Sequence, residues 1–227
     1  AEHAEPLVVR RGESAETHQR ARDREPVRGA QLHQLGRRVG VPIELVPFDT
    51  AGNVVDAFKA GTIDVGFVAI DPARAADIRY TDAYVVIEGA YLVTRDSPIR
   101  DNAEVDRTGT RVVVGAKSAY DLFLSRELKH ATIVRVPSSP AVVDFFLAHK
   151  LDVAAGVKQQ LEADAKRLPG LRLLGGRFMV INQAMGTPRG RDAGARYLRD
   201  FVAAMKASGF VAEALKRHGI EGAAVAP

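Results

Sequence analysis

The chain has 227 residues, of which 46% are hydrophobic and 26% are charged, and its formal net charge is +4. This composition predicts a globular protein with a sizeable core and excludes an intrinsically disordered chain. The absence of cysteine excludes a disulfide framework and a thiolate nucleophile or metal site. No apolar run approaches the roughly 20 residues of a membrane span. The basic residues are spread along a chain without tryptophan, which disfavours a nucleic-acid partner.

From residue 41 onward, short strand-like runs alternate with helical patterns, which is typical of an α/β fold. Strands are predicted at 42–48, 62–70, 85–94, 111–116, 132–137 and 151–157. Helices are predicted at 53–61, at 118–128, from 139 or 140 to 149, and at 192–207 with a continuation after Gly209 to 218. The strand-helix-strand pattern of 43–70 repeats at 132–157, which indicates two similar halves.

The first forty residues fit this pattern poorly. Residues 6–9 ("PLVV") predict a strand, and residues 31–40 ("QLHQLGRRVG") predict the end of a helix. Residues 10–29 between them are highly polar and lack helical or strand periodicity, which is typical of a loop or a disordered segment. We therefore name no candidate ligand-binding residue in this part of the chain.

Arg74 is the first candidate for a functional residue, because of the residues that precede it. Asp71 is a favourable N-cap and Pro72 suits the first helical position, so Arg74 is predicted on the first turn of a helix. The first-turn amides and the positive end of the helix would then face the space that the guanidinium reaches. A guanidinium binds a carboxylate with two parallel hydrogen bonds. The alternative is a surface arginine that pairs with Asp77 or Asp82.

Five segments, in order along the chain, resemble the motifs of one family. They are "FKAGTID" (58–64), "DPARAADIRYTDAY" (71–84), "VVVGAKS" (112–118), "FLAHKLD" (146–152) and "GFVAEALKRHGI" (209–220). From residue 41 to its end the chain resembles the bacterial extracellular solute-binding proteins of the polar amino acid type, family 3. Members of this family are the periplasmic receptors of ABC importers.

The resemblance implies an α/β fold with two lobes, the type II periplasmic-binding-protein fold. Residues 1–93 together with 186–227 would form the first lobe, in which 1–40 is atypical. Residues 94–185 would form the second lobe. Two crossing hinge strands, near 85–94 and 178–186, would join the lobes.

The resemblance also implies ligand-binding residues. Arg74 would hold the ligand's carboxylate. Ala69 and Asp71 stand where the family usually has hydroxyl-bearing residues, so the backbone amide of Asp71 is the expected donor. In the second lobe, Ser118 would cap a helix and meet the ligand with its amide. Lys117 replaces the family's glycine, and its ammonium group either adds to carboxylate binding or points to solvent.

Three further candidates each have two interpretations. Asn53 contacts the ligand or caps its helix, and Tyr84 contacts the ligand or is a core or hinge aromatic. Glu88, in an otherwise apolar strand, lines the cleft or pairs at the hinge. Amino-acid binders of the family carry an aspartate for the ligand's α-ammonium group where this chain has Val157, followed by Lys158. The departure predicts a ligand without a free α-ammonium group in the usual place, unless Glu88 or the N-terminal segment supplies the missing charge.

The resemblance implies a monomeric periplasmic receptor that closes by hinge motion on a small anionic or zwitterionic solute and delivers it to an ABC permease. One alternative is a cyclohexadienyl-dehydratase-like enzyme with Glu88 or His149 as the general acid. Another is a ligand-sensing domain. The sequence contains no metal-binding motif, phosphate-binding loop or nucleophile elbow. We therefore predict no enzyme activity, no catalytic or metal-binding residue and no cofactor.

Overall fold

The computed structural model describes residues 7–10 and 26–227, which form a mixed α/β chain. The described strands are β1 (Leu7–Arg10), β2 (Glu44–Pro47), β3 (Val65–Ala69), β4 (Ile78–Thr94), β5 (Arg111–Gly115), β6 (Thr132–Val136), β7 (Val153–Val157), β8 (Leu171–Leu173), β9 (Met179–Pro188) and β10 (Ala224–Val225). The described α-helices are α1 (Pro26–Val39), α2 (Ala51–Ala60), α3 (Ala119–Glu127), α4 (Val142–Ala148), α5 (Lys158–Arg167), α6 (Asp192–Ala207) and α7 (Phe210–Arg217). Short 3₁₀ segments occupy Asn102–Glu104 and Ser139–Ala141.

The described residues divide into two compact units. The contiguous unit is Ile87–Ile181, and the discontinuous unit consists of the residues up to Val86 together with Asn182–Pro227. Strands β4 and β9 each contribute residues to both units. Within the described part of the chain, none of the helices is both long and apolar enough to span a membrane.

In the discontinuous unit the strand order is β2-β1-β3-β9. β1 pairs antiparallel with both β2 and β3, and β3 pairs antiparallel with β9. Helix α2 packs on this sheet through Val54 and Phe58, which are four residues apart and therefore share a helix face. They contact Ile63, Val68 and Ile78 in one core cluster.

Helix α6 is amphipathic, as its sequence predicts. Its buried residues include Leu198, Phe201, Val202 and Met205, which follow the i, i+3, i+4, i+7 spacing of one helix face. The predicted break at Gly209 is confirmed, because this residue has φ 76° and separates α6 from α7. A positive φ favours glycine, so the chain can turn there at little cost.

In the contiguous unit the strand order is β4-β7-β5-β6. β5 pairs in parallel with β6 and β7, and β4 pairs antiparallel with β7 and β8. Side chains of β5 alternate between two core clusters: Val112 and Val114 belong to one, and Val113 to the other. Tyr120 of α3 joins the first cluster and Phe146 of α4 the second, so helices cover both faces of this sheet.

The N-terminal predictions are confirmed in part. The predicted strand at 6–9 corresponds to β1, and the predicted end of a helix at 31–40 corresponds to α1. Helix α1 begins at Pro26, so the prediction of an irregular segment up to residue 29 is wrong at its end. The prediction for residues 11–25 lies outside the described residues.

Candidate functional site

Arg74 lies in consecutive turns at 72–77, which connect β3 to β4. The prediction of a helix here is wrong. The amide of Ala75 donates to the Asp71 carbonyl at 3.2 Å and that of Ile78 to the Arg74 carbonyl at 3.1 Å, but Ile78 already begins β4. The connection between β3 and β4 is therefore too short to form a helix. Asp71 nevertheless acts as a cap, because its Oδ1 accepts a hydrogen bond from the Ala73 amide at 2.8 Å.

The guanidinium of Arg74 is buried in the discontinuous unit. The residue is only 3% exposed, so the alternative of a surface arginine is wrong. Nη1 donates to the Ala69 carbonyl at 3.0 Å. Burial lowers the pKa of Arg74, while Tyr80 and Asp71 act in the opposite direction. The interior of this unit therefore holds a cation directly after β3.

Tyr80 is a neighbour of Arg74 that the sequence did not single out. Its hydroxyl donates to the carbonyl of Ala69 at 3.4 Å, so two side chains share one acceptor. Burial raises the pKa of Tyr80 to about 12. The phenol is therefore a neutral donor at physiological pH.

The remaining candidates of the discontinuous unit have structural partners. Thr50 caps α2, since its hydroxyl accepts from the Asn53 amide at 3.2 Å; the prediction of Asn53 as the cap is therefore wrong. Asn53 is exposed on the first turn of this helix. Tyr84 is 3% exposed, accepts a hydrogen bond from Nε of Arg28 at 3.3 Å and packs edge-on against Phe67. These contacts are those of a core aromatic.

In the contiguous unit the parallel strands β5, β6 and β7 end at the same edge of the sheet, where a turn and a helical segment follow each strand. The carboxyl ends of parallel strands are where ligands bind in open α/β sheets. Ser118, Ser139 and Lys158 follow these three ends in turn.

Ser118 caps α3, as the sequence predicts. Its Oγ accepts from the Asp121 amide at 3.0 Å, while Asp121 Oδ2 accepts from the Lys117 amide at 2.8 Å. The two reciprocal bonds resemble a capping box. Lys117 is exposed and has φ 58°, a conformation that favours glycine. The buried Asp121 also accepts from Nε of Arg135 at 2.9 Å.

Tyr120 and Ser139 form a contact that the sequence did not indicate. The hydroxyl of Tyr120 lies 2.7 Å from Oγ of Ser139. Ser138 occupies the N-cap position of the 3₁₀ segment and makes no side-chain cap bond. Ser139 instead begins the segment and is an exposed residue, while the bond between its hydroxyl and Tyr120 is partly buried.

Glu88 forms two ion pairs within the contiguous unit. Its Oε1 accepts from Arg177 at 2.7 Å and its Oε2 accepts from Lys158 at 2.9 Å. These hydrogen bonds, that of Arg177 most strongly, lower the pKa of Glu88. A general acid near neutral pH requires a raised pKa, so Glu88 is poorly suited to that role.

Among residues 7–10 and 26–227, the second candidate acid, His149, has no acid-base partner. His149 stacks on the ring of Phe145 with centroids 3.8 Å apart, and its Nδ1 lies 3.1 Å from the Phe145 carbonyl. Residues 7–10 and 26–227 contain no group of three or more His, Asp or Glu residues placed to hold a metal ion.

The structure thus groups the predicted residues by unit. Ala69, Asp71 and Arg74 lie together, with Tyr80, in the discontinuous unit, which also contains Asn53 and Tyr84. Lys117 and Ser118 lie together in the contiguous unit, which also contains Glu88.

The sequence matches no family model and no curated protein. Solved structures, in contrast, match its fold. The substrate binding protein of an amino acid ABC transporter is 14% identical, with a TM-score of 0.72 over 84% of this chain and 86% of that one. A mutant of ArgBP from T. maritima is 16% identical, with a TM-score of 0.71 over 84% and 83% of the two chains.

A third similar structure is an ancestral amino acid-binding protein described as a precursor of cyclohexadienyl dehydratase. It is 16% identical, with a TM-score of 0.67 over 81% of this chain and 80% of that one. The fold predicted from the sequence motifs is confirmed. The chain has the type II periplasmic-binding-protein fold, as found in the substrate-binding proteins of amino acid ABC transporters.

Proposed function

We propose that the chain is the periplasmic substrate-binding component of an ABC importer and that it binds a small carboxylate or amino-acid-like solute. The observation that carries the proposal is the buried guanidinium of Arg74, directly after β3, on a fold shared with amino-acid-binding proteins. A guanidinium binds a carboxylate with two parallel hydrogen bonds, so a solute carboxylate matches its geometry.

The binding mechanism that fits this fold is hinge closure. Residues 94–185 would form one lobe and residues 1–93 with 186–227 the other, and the solute would lie in the cleft between them. The closed form would present its surface to a membrane permease. Ala69, Asp71 and Arg74 would bind the solute from the first lobe, and Lys117 and Ser118 from the second.

The charges near Val157 support a solute without an α-ammonium group. Lys158 follows Val157 directly, and the nearby carboxylate of Glu88 already accepts from Lys158 and Arg177. An ammonium group would meet a cluster with one negative and two positive charges, so its binding there is unfavourable. Mono- and dicarboxylates and N-acylated amino acids avoid this cost.

Two measurements test the proposal. Mass spectrometry of small molecules released from the purified protein on denaturation is expected to detect an organic acid. In a thermal-shift panel, succinate, glutarate and N-acetyl-L-glutamate are expected to raise the Tm more than L-arginine, L-lysine and L-glutamine do. Tight binding of a free amino acid, with an acidic side chain touching its ammonium group, would contradict the proposed solute class. Failure of every compound in both measurements would contradict the receptor function.

A further inference from the structure

The turns that follow β5 and β6 touch each other at Gly115. The two strands pair in parallel up to Gly115 and Val136, and the amide of Ala116 donates to the Val136 carbonyl at 2.8 Å. A Cβ atom on Gly115 would lie 2.8 Å from the backbone nitrogen of Ser139 and 2.9 Å from its Oγ. Such distances are too short for a side chain, so glycine permits this approach.

A buried phenol links the two turns. The hydroxyl of Tyr120 contacts Oγ of Ser139 at 2.7 Å. Burial raises the pKa of Tyr120, and hydrogen bonds with Ser139, with Ser118 and with the backbone of Gly115 oppose this shift. One oxygen atom therefore contacts the turn after β5 and the turn after β6.

The hydroxyl of Ser139 retains capacity for a further hydrogen bond. Oγ of Ser118 accepts from the Asp121 amide at 3.0 Å, and Tyr120 donates to Ser139. In the described ranges 7–10 and 26–227, the hydroxyl of Ser139 has no hydrogen-bond partner other than Tyr120. A serine hydroxyl has one donor and two acceptor positions, so this hydroxyl can bond to a further group.

We propose that Tyr120 is a positioning residue, which holds Ser139 against the turn after β5 so that the hydroxyl of Ser139 donates to an acceptor oxygen of the bound solute. The group it would recognise is a carboxylate or carbonyl oxygen at the carboxyl edge of β5 and β6. This inference rests on the proposed function, because it assigns a further contact to the same solute.

The first test uses the protein without any solute. In Tyr120→Phe, hydrogen exchange of the amides at 115–118 and 139–142 is expected to accelerate by roughly tenfold, since the link between the turns is lost. Tyr197→Phe, at an exposed tyrosine, is the matched control and is expected to leave these amides unchanged. Unchanged exchange in Tyr120→Phe would overturn the positioning role.

A second variant tests the same contact by changing Gly115 instead of Tyr120. Gly115→Ala is expected to displace the Ser139 segment and to accelerate exchange at 139–142, while the hydroxyl of Tyr120 is retained. Protection equal to that of the wild type would mean that the two turns are not held in contact.

The third test measures binding of succinate, glutarate and N-acetyl-L-glutamate by calorimetry. Ser139→Ala and Tyr120→Phe are each expected to weaken binding about three- to tenfold, the usual effect of one hydrogen bond. In a Ser139→Ala background, Tyr120→Phe is expected to cost less than about twofold more, because Tyr120 acts through Ser139. A merely structural role would instead give additive losses, and this result would overturn the inference.

Ser138→Ala is the matched control for Ser139→Ala, because the side chain of Ser138 makes no cap bond. An equal loss in both variants would also overturn the inference. If the wild type binds none of the three acids, the proposed solute class fails, and the exchange measurements alone decide whether Tyr120 holds the two turns together.

Discussion

At the scale of single residues, Arg74 combines burial with a permanent charge. Although burial lowers its pKa, an arginine side chain stays protonated in proteins. Its Nη1 donates to the carbonyl of Ala69, which Tyr80 also contacts, and the charge of Asp71 favours the protonated guanidinium. A guanidinium held at this place can bind a carboxylate with two parallel hydrogen bonds, and this geometry determines the first prediction.

Replacing Arg74 is expected to weaken binding of a carboxylate solute. Arg74→Ala should cost at least about 2 kcal/mol, roughly thirtyfold in affinity, because a desolvated carboxylate loses its partner. Arg74→Lys should also weaken binding although the charge is kept, since the two-pronged geometry is lost. Calorimetry with succinate and N-acetyl-L-glutamate measures both effects. Arg79→Ala, which removes an exposed arginine paired with Asp192, is the control and should bind normally. Unchanged affinity in Arg74→Ala would refute the role of this residue.

Glu88 provides a prediction about catalysis. Because Arg177 and Lys158 lower its pKa, Glu88 is ionised at neutral pH and has no proton to donate. We therefore expect no turnover of prephenate or arogenate, as measured by the ultraviolet absorbance of the aromatic product. Measurable dehydration that Glu88→Gln abolishes would make the dehydratase function the better interpretation.

The sequence predicted local contacts at the candidate residues better than distant ones. The cap at Ser118 was predictable, because an N-cap bonds within its own turn. The bond from Tyr80 to Ala69 spans 11 residues, that from Tyr120 to Ser139 spans 19, and that from Arg177 to Glu88 spans 89. Such pairs depend on which strands are neighbours, and a single sequence does not contain this information.

At the scale of elements, β4 and β9 approach closely at Gly186. A Cβ there would lie 2.5 Å from Cγ2 of Ile78, inside the core of the discontinuous unit. Gly186→Ala is therefore expected to reduce the free energy of unfolding by about 1–3 kcal/mol through overpacking. Urea denaturation measures this loss. Gly175→Ala is the control, because a Cβ there meets no atom within 4 Å; an equal effect of both substitutions would contradict the packing argument.

A second prediction at this scale concerns the loop at 129–131. The carboxylate of Asp106 accepts hydrogen bonds from the amides of Ala131, Lys129 and His130. These bonds lower the pKa of Asp106 to about 2 from an ordinary value of 3.8. The carboxylate of Asp106 thus binds a proton less readily in the folded state than in the unfolded state. The stabilisation is fully present above the ordinary pKa and is lost as the pH falls from there through about 2.

The expected result is a urea midpoint that is lower in Asp106→Ala than in the wild type at neutral pH. The difference should shrink as the pH falls from about 4 to about 2, where the wild-type carboxylate gains its proton. A difference that stays constant or grows on acidification would show that the hydrogen bonds of the carboxylate are not its cause.

Regular elements were predictable where the periodicity is long, and connections were not. Helix α6 was predicted over the same residues, since sixteen residues display one apolar face clearly. The link at 72–77 was predicted as a helix, because Asp71 and Pro72 are good helix starters. The competing factor was the start of β4 at Ile78, which left the helix no room.

At the scale of the whole molecule, the proposed hinge closure has a measurable consequence. Saturation with a solute that raises the Tm should reduce the radius of gyration in small-angle X-ray scattering, because the two lobes come together. The same solute should leave Arg74→Ala unchanged in size at a concentration that saturates the wild type. A wild-type radius that stays constant on saturation would refute closure while leaving binding itself intact.

The two-unit division also affects how the protein folds during its synthesis. The residues up to Val86 leave the ribosome first, but β3 pairs with a part of β9 that belongs to the last 46 residues, Asn182–Pro227. The contiguous unit needs no later segment, so it can complete its core first, although it is made second. The early residues must meanwhile stay unaggregated with an unpaired edge at β3, and such intermediates are substrates for chaperones. A chain stalled near residue 181 should therefore show a protease-resistant contiguous unit behind a protease-sensitive N-terminal part.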